Sequence, residues 1–177
     1  MNAPVDVMVS PQNLDRLYHA LDGRGIEHSV LIDDVQRLAE SIKTADPGKM
    51  MSWDVYHPLE DMYEYMDYLE ETFPESVSTE VIGQSYEGRD MRVIKICGGG
   101  ECGKKPGMYI EGGIHAREWI SPAVVTYMMR ELTENITGQQ ELVDELDWYI
   151  VPSVNPDGYV YTWSDDRLWR KTRRGFH

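Results

Sequence analysis

The side chains best suited to chemistry lie in the run Gly112-Gly113-Ile114-His115-Ala116-Arg117-Glu118-Trp119. His115 offers an imidazole nitrogen and Glu118 a carboxylate, two groups that suit a borderline-soft cation such as zinc. Their three-residue step lets both curl toward one point as the chain leaves a strand and turns into a helix. A catalytic zinc needs three protein ligands and one open position for water. Taken alone, a His-x-x-Glu pair arises by chance in many chains, and it then reads as a solvated His beside a Glu at a helix start. A second concentration is cationic: Arg167, Arg170, Lys171, Arg173 and Arg174 all fall in the last eleven positions. By itself such a cluster is a solubilising basic patch.

The elements around these residues alternate in type. Met108–Glu111 reads as an apolar strand leading into the Gly-Gly pair, and Pro122–Glu134 as the helix that follows. Upstream, Leu59, Met62, Met66, Leu69 and Phe73 recur at three- and four-residue steps, which predicts an amphipathic helix over 58–73 ending at Pro74. Ser78–Ile82, Met91–Cys97 and Trp148–Pro152 read as strands and Glu141–Leu146 as a short helix. Asn155-Pro156-Asp157-Gly158 reads as a turn, with Pro presetting φ and Gly accepting φ > 0. Strands alternating with helices predict an α/β sheet. The first forty-odd residues form a separate pattern. Strands are expected at Val5–Val9 and Ile26–Ile32. One helix starts at Ser10-Pro11 and carries Leu14, Leu17, Tyr18 and Leu21; another is capped by Asp33. Thr44–Met51 is turn-like and reads as an exposed linker containing Lys49.

The formal net charge of −14, from 31 acidic and 17 basic residues, argues against a nucleic-acid-binding role through a basic face. Hydrophobic residues make up 41%, enough for a buried core. Cys97 and Cys102 are the two cysteines; a short-loop disulfide and a pair of free thiols are both open readings. No apolar run is long enough to span a bilayer. The first residues have neither a basic n-region nor an apolar h-region, so no signal peptide is read there. The chain is then either cytosolic or lacks its true start.

Four motifs in order resemble the zinc carboxypeptidase family, which includes the digestive carboxypeptidases A and B. They are Gly83-Gln84-Ser85-Tyr86-Glu87-Gly88-Arg89, matching G-x-S-x-E-G-R; Pro106–Gly113 running into His115-Ala116-Arg117-Glu118; Val151–Tyr159 around Asn155-Pro156-Asp157-Gly158; and Arg167–Arg173. The likeness extends from about Trp53 to Arg174. It implies an N-terminal portion of a mixed-sheet zinc carboxypeptidase domain over 52–177, preceded by a partial α+β activation pro-segment over 1–43. It also implies one Zn2+ held by His115 and Glu118, substrate contacts from Arg117 and Arg170, and Arg173 both binding substrate and polarising the scissile carbonyl. Peptide and protein C-termini are the implied substrates, and a trypsin-like protease cutting the 44–51 linker, with Lys49 as candidate, the implied activator. No nucleic acid and no membrane is implied, and the full-length relatives are extracellular.

The family's third ligand, a later His, has no counterpart here, nor do the pair that holds the terminal carboxylate and the general base. His19 and His28 fall in the pro-segment, His177 follows Arg173 by only four positions, and His57 is expected at the surface. The chain is therefore expected to be incomplete and inactive alone. The competing reading is a non-catalytic binding fragment that uses the pro-segment or the arginine-rich end.

Overall fold

The computed structural model describes residues 4–46, 50–99, 101–138 and 140–175; Lys49 and His177 lie outside the described residues. The chain divides after Glu40 into two compact units.

In the first unit, a 3-10 turn at Pro11–Asn13 runs into helix α1 (Leu14–Asp22), and α2 spans Val35–Glu40. Asp34, rather than Asp33, caps α2, accepting from the Arg37 N–H at 2.9 Å. The strands expected at Val5–Val9 and Ile26–Ile32 do not form, and Val5 (81% exposed) and Leu31 (78%) lie open. A helix closes its hydrogen bonds locally, whereas a strand requires a partner ladder, and none is present among the described residues of this unit.

The second unit is the α/β domain that the motif pattern predicts. Its elements are α3 (Leu59–Thr72), β1 (Val77–Gln84), β2 (Asp90–Cys97), β3 (Gly107–Glu111), α4 (Ile120–Thr133), α5 (Gln140–Glu145), β4 (Asp147–Val151) and α6 (Pro156–Ser164). The sheet order is β1-β2-β4-β3, antiparallel except for the parallel β3–β4 pair, so the sheet is mixed. The apolar stripe of α3 places Met66 and Leu69 against Ile94, Ile96 and Ile150 from the sheet and Met129 from α4, all fully buried. A second cluster, Leu59, Met62, Trp119 and Tyr159, lies beneath the turn that carries His115.

Two further expectations are corrected. Asn155-Pro156-Asp157-Gly158 opens α6 instead of closing a free turn: Asn155 Oδ1 accepts from Gly158 N–H at 3.1 Å, and Pro156 occupies the first helical position. His57 is 3% exposed rather than superficial. Its Nδ1 faces Asp61 Oδ2 at 2.8 Å, its Nε2 accepts the Ser52 N–H at 3.1 Å, and Tyr159 donates its hydroxyl to the His57 carbonyl. In the 44–51 stretch Thr44 bridges Tyr56, and Ala45 N–H donates to the Tyr56 carbonyl at 2.8 Å, while Thr44, Asp46 and Met50 are exposed. Cys97 and Cys102 form a disulfide. Just after the loop it closes, Gly103 N–H and Lys105 N–H donate to the buried Asp147 carboxylate. Burial pushes the Asp147 carboxyl up, but these two N–H groups and the Lys105 ammonium outweigh it and hold it below its ordinary value.

Candidate metal site

The site begins where β3 ends. Gly112 continues the pairing with β4, donating to the Val151 carbonyl at 2.9 Å and accepting from Val154 N–H at 3.0 Å. A Cβ at Gly112 would sit 2.7 Å from the Pro152 carbonyl oxygen, so only glycine fits between β4 and α4. Gly113 then takes φ +66°, its N–H donating to Ser121 Oγ in the first turn of α4. This turn divides its side chains between two faces. Ala116 and Trp119 point into the core, while His115 and Glu118, also three apart, point outward.

His115 Nδ1 lies 3.0 Å from both carboxylate oxygens of Glu118. The two side chains retain 35% and 47% exposure. An imidazole lone pair and two carboxylate oxygens are all acceptors, so they converge on one point only if a proton or another cation lies between them. Two ligands each about 2.1 Å from a tetrahedral ion lie roughly 3.4 Å apart, close to the spacing seen here. The donor set and its convergence therefore fit a zinc ion. Among the described residues, no third His, Cys, Asp or Glu joins the pair in a metal-binding group.

The arginines are held in different ways. Ala116 N–H donates to the Arg170 carbonyl at 3.1 Å, drawing that segment against the His115 turn. Arg170 Nη2 then lies 3.2 Å from His115 Nδ1. Arg173 lines the same cleft as His115; its Nε donates to Glu87 at 3.3 Å, and its guanidinium lies 3.7 Å from the Tyr161 ring centre and 4.8 Å from that of Trp169. Arg117 is exposed, and its carbonyl accepts from Arg167 Nη1 at 2.9 Å. The Arg167 guanidinium also covers the Trp119 ring at 3.6 Å. An open cleft of about 530 Å³ is lined by His115, Trp169, Arg170, Thr172, Arg173 and Arg174, among others.

Two residues of the Asn-Pro-Asp-Gly motif, read from the sequence as structural, position the site through distant partners. Asn155, nearly buried, donates from Nδ2 to the Ile114 carbonyl (3.3 Å) and the Lys171 carbonyl (3.1 Å), tying the His115 turn to the arginine segment. Asp157, 2% exposed, accepts from Ser85 Oγ (2.6 Å), Glu87 N–H (2.9 Å) and Arg89 Nη1 (2.9 Å). Burial pushes the Asp157 carboxyl up, but these three donors prevail and hold it below its ordinary range. The Asn-Pro-Asp-Gly motif was the available signal. The partners of Asp157, some 70 positions away, were not visible in it.

A mixed α/β sheet with a His–Glu pair at a strand's C-terminal end defines a class: an α/β domain with a candidate metal centre where strand turns to helix. Residues 62–177 match the zinc carboxypeptidase family, and residues 1–41 match the carboxypeptidase activation peptide. The chain belongs to the zinc carboxypeptidase family. Carboxypeptidase B of Astacus astacus is 46% identical over 70% of this chain and 40% of its own length. Zinc carboxypeptidase A 1 of Anopheles gambiae is 37% identical over 97% of this chain and 40% of its own. The crystal structure of thrombin activatable fibrinolysis inhibitor superposes with a TM-score of 0.84 at 34% identity, covering 96% of this chain and 43% of that one. Carboxypeptidase A of Helicoverpa armigera gives a TM-score of 0.82 at 27% identity. The chain thus spans about two-fifths of the length of these relatives.

Proposed function

We propose that this chain supplies one side of the active site of a metallocarboxypeptidase that hydrolyses the C-terminal peptide bond of peptides and proteins. The observation that carries the reading is the convergence of His115 Nδ1 and both Glu118 oxygens, inside the stretch that matches the family. In this reading His115 and Glu118 hold one zinc ion. When bound, such an ion supplies Lewis-acid polarisation and a water that ionises near neutral pH. His115 serves as the neutral imidazole, with Nδ1 directed at the shared point and held by the turn that Asn155 clamps. Arg170, at 3.2 Å from that nitrogen, is a cation near enough to donate to a substrate carbonyl oxygen as it gains charge. A fixed donor of this kind typically contributes a few kcal/mol. Arg173, which donates to Glu87 and lies beside the Trp169 ring, lines the same cleft as His115 and keeps the polarising role that the resemblance implies for it, with Arg170 a second donor at the site. Arg117, exposed on the same turn, is assigned to substrate binding.

Residues 1–43 act in this proposal as the activation pro-segment, supported by the match over 1–41 and the unit boundary after Glu40. A trypsin-like protease would cut the 44–51 linker, and the parent protein would be secreted. No helix among the described residues is long and apolar enough to cross a membrane.

Calorimetric titration of the whole chain with zinc tests the ligand assignment. A weak site is expected, because losing even an outer-shell partner typically costs about 10–100-fold in affinity. That site should vanish in both His115→Ala and Glu118→Ala, and unchanged binding by the two variants would overturn the assignment. With stoichiometric zinc, the 177-residue chain alone should release no C-terminal residue from a peptide; robust turnover would contradict its expected inactivity.

A further inference from the structure

In a chain of net charge −14, the cleft beside His115 is lined by Arg170, Lys171, Arg173 and Arg174 and by no carboxylate. The remaining lining residues are uncharged or His115 itself. The nearest acidic groups are already committed, Glu118 to His115 and Glu87 to Arg173 and Arg89. Arg173 is thus largely neutralised. Arg170 and Arg174 are different: neither pairs with a carboxylate among the described residues, and both are exposed. Arg170 spends its one side-chain hydrogen bond on a nitrogen, which leaves its positive charge uncompensated.

Uncompensated guanidinium groups along a concave wall recognise carboxylates through charge-assisted, often bidentate, hydrogen bonds. Arg170 lies 3.2 Å from His115 Nδ1, and Arg174 lines the same cleft four positions further along the chain, so the cleft offers a cation besides the one at the metal pair. We propose that this cleft selects peptides with acidic residues just upstream of their C-terminal residue, and that Arg174 is a specificity-determining residue for them. The inference rests on the peptidase reading of the same site. It deepens that reading by assigning a substrate class to the arginine-lined cleft.

The test uses the whole 177-residue chain and three N-acetylated tripeptides with one C-terminal residue in common: Glu-Glu-Ala, Gln-Gln-Ala and Lys-Lys-Ala. Binding is measured by calorimetry and by intrinsic tryptophan fluorescence, to which Trp169 at the cleft wall contributes, in EDTA and again with zinc. In EDTA at low salt, the Glu-Glu peptide should bind about tenfold tighter than the Gln-Gln peptide, and the Lys-Lys peptide weakest. The preference should shrink at 1 M salt, where the Debye length falls to about 3 Å. Arg174→Glu should abolish or reverse it; the side chain is exposed and pairs with no carboxylate among the described residues, so the substitution leaves the fold intact. Equal affinities, no binding of any peptide, or a preference unchanged in Arg174→Glu would overturn the proposal. A preference that appears only with zinc would overturn it too, since the acidic side chains would then be reading the metal. Because the EDTA measurement needs no metal, a failed zinc titration leaves it interpretable, and the two ideas fail separately.

Discussion

Two carboxylates about 40 residues apart in sequence, Glu118 and Asp157, have opposite surroundings. Asp157 is buried and surrounded by donors: a hydroxyl, a backbone N–H and a guanidinium. Glu118 is half exposed and faces an imidazole nitrogen that is itself an acceptor unless protonated. The first carboxylate has its charge satisfied by the protein, and its charge holds loop 85–89 to α6. The second is left short of positive charge. A saturated buried carboxylate serves structure, whereas an under-satisfied pair at a strand end is ready to take a cation.

The comparison is broken most severely at Asp157. Asp157→Ala leaves three donors without their acceptor in a buried site, and a loss of about 2–4 kcal/mol in urea unfolding is expected. The pH profile gives an independent check. The folded carboxyl lies below its ordinary 3.8, so the unfolded chain binds the proton more readily. The stabilisation is therefore fully present above about pH 4 and is lost as pH falls through the depressed value. Asp157→Asn should flatten this acid limb. An acid limb as steep as in the parent chain would show that Asp157 is not the group responsible.

A smaller effect is expected at Asn155, which joins the two halves of the site. Asn155→Ala should cost about 1–3 kcal/mol, since it strips the Ile114 and Lys171 carbonyls of a buried donor and removes the cap of α6. It should also weaken zinc binding, by loosening the His115 turn. A variant destabilised to this extent but with zinc affinity intact would confine Asn155 to capping the helix.

How much of this was legible beforehand depended on how far apart the interacting residues lie. The stripe of α3 was readable because Leu59, Met62, Met66 and Leu69 follow the helical period, and all four are buried. The His115–Glu118 convergence was readable too, since one turn brings residues three apart together. Failures came where the partner is distant. Val5–Val9 carries a strand's composition, but composition provides no ladder. Asn-Pro-Asp-Gly serves equally as a turn and as a helix start, and the burial of Tyr159 and Thr162 beyond it favours the helix. The motif names Arg170 and Arg173 but not their contacts. Glu87, 86 positions from Arg173, and the rings of Tyr161 and Trp169 surround Arg173, and none of these was visible in the motif.

The smallest effect is expected at Glu118 and is the most informative for the contrast. Glu118→Gln keeps the shape of the side chain, removes its charge and gives His115 Nδ1 an amide donor in place of an acceptor. Without metal, stability should change by no more than about 0.5 kcal/mol, as for an exposed substitution that breaks no buried network. With zinc present, the thermal shift seen in the parent chain should disappear in the variant, because a ligand that binds only the folded state raises its stability in proportion to its affinity. The two measurements must be read together. A large loss without metal would make Glu118 a structural carboxylate like Asp157, with its proton or ion pair part of the fold. A near-zero loss without metal, combined with a vanished zinc shift, would establish that the turn after β3 is held by Asn155 and the glycines and leaves the Glu118 carboxylate free for the ion.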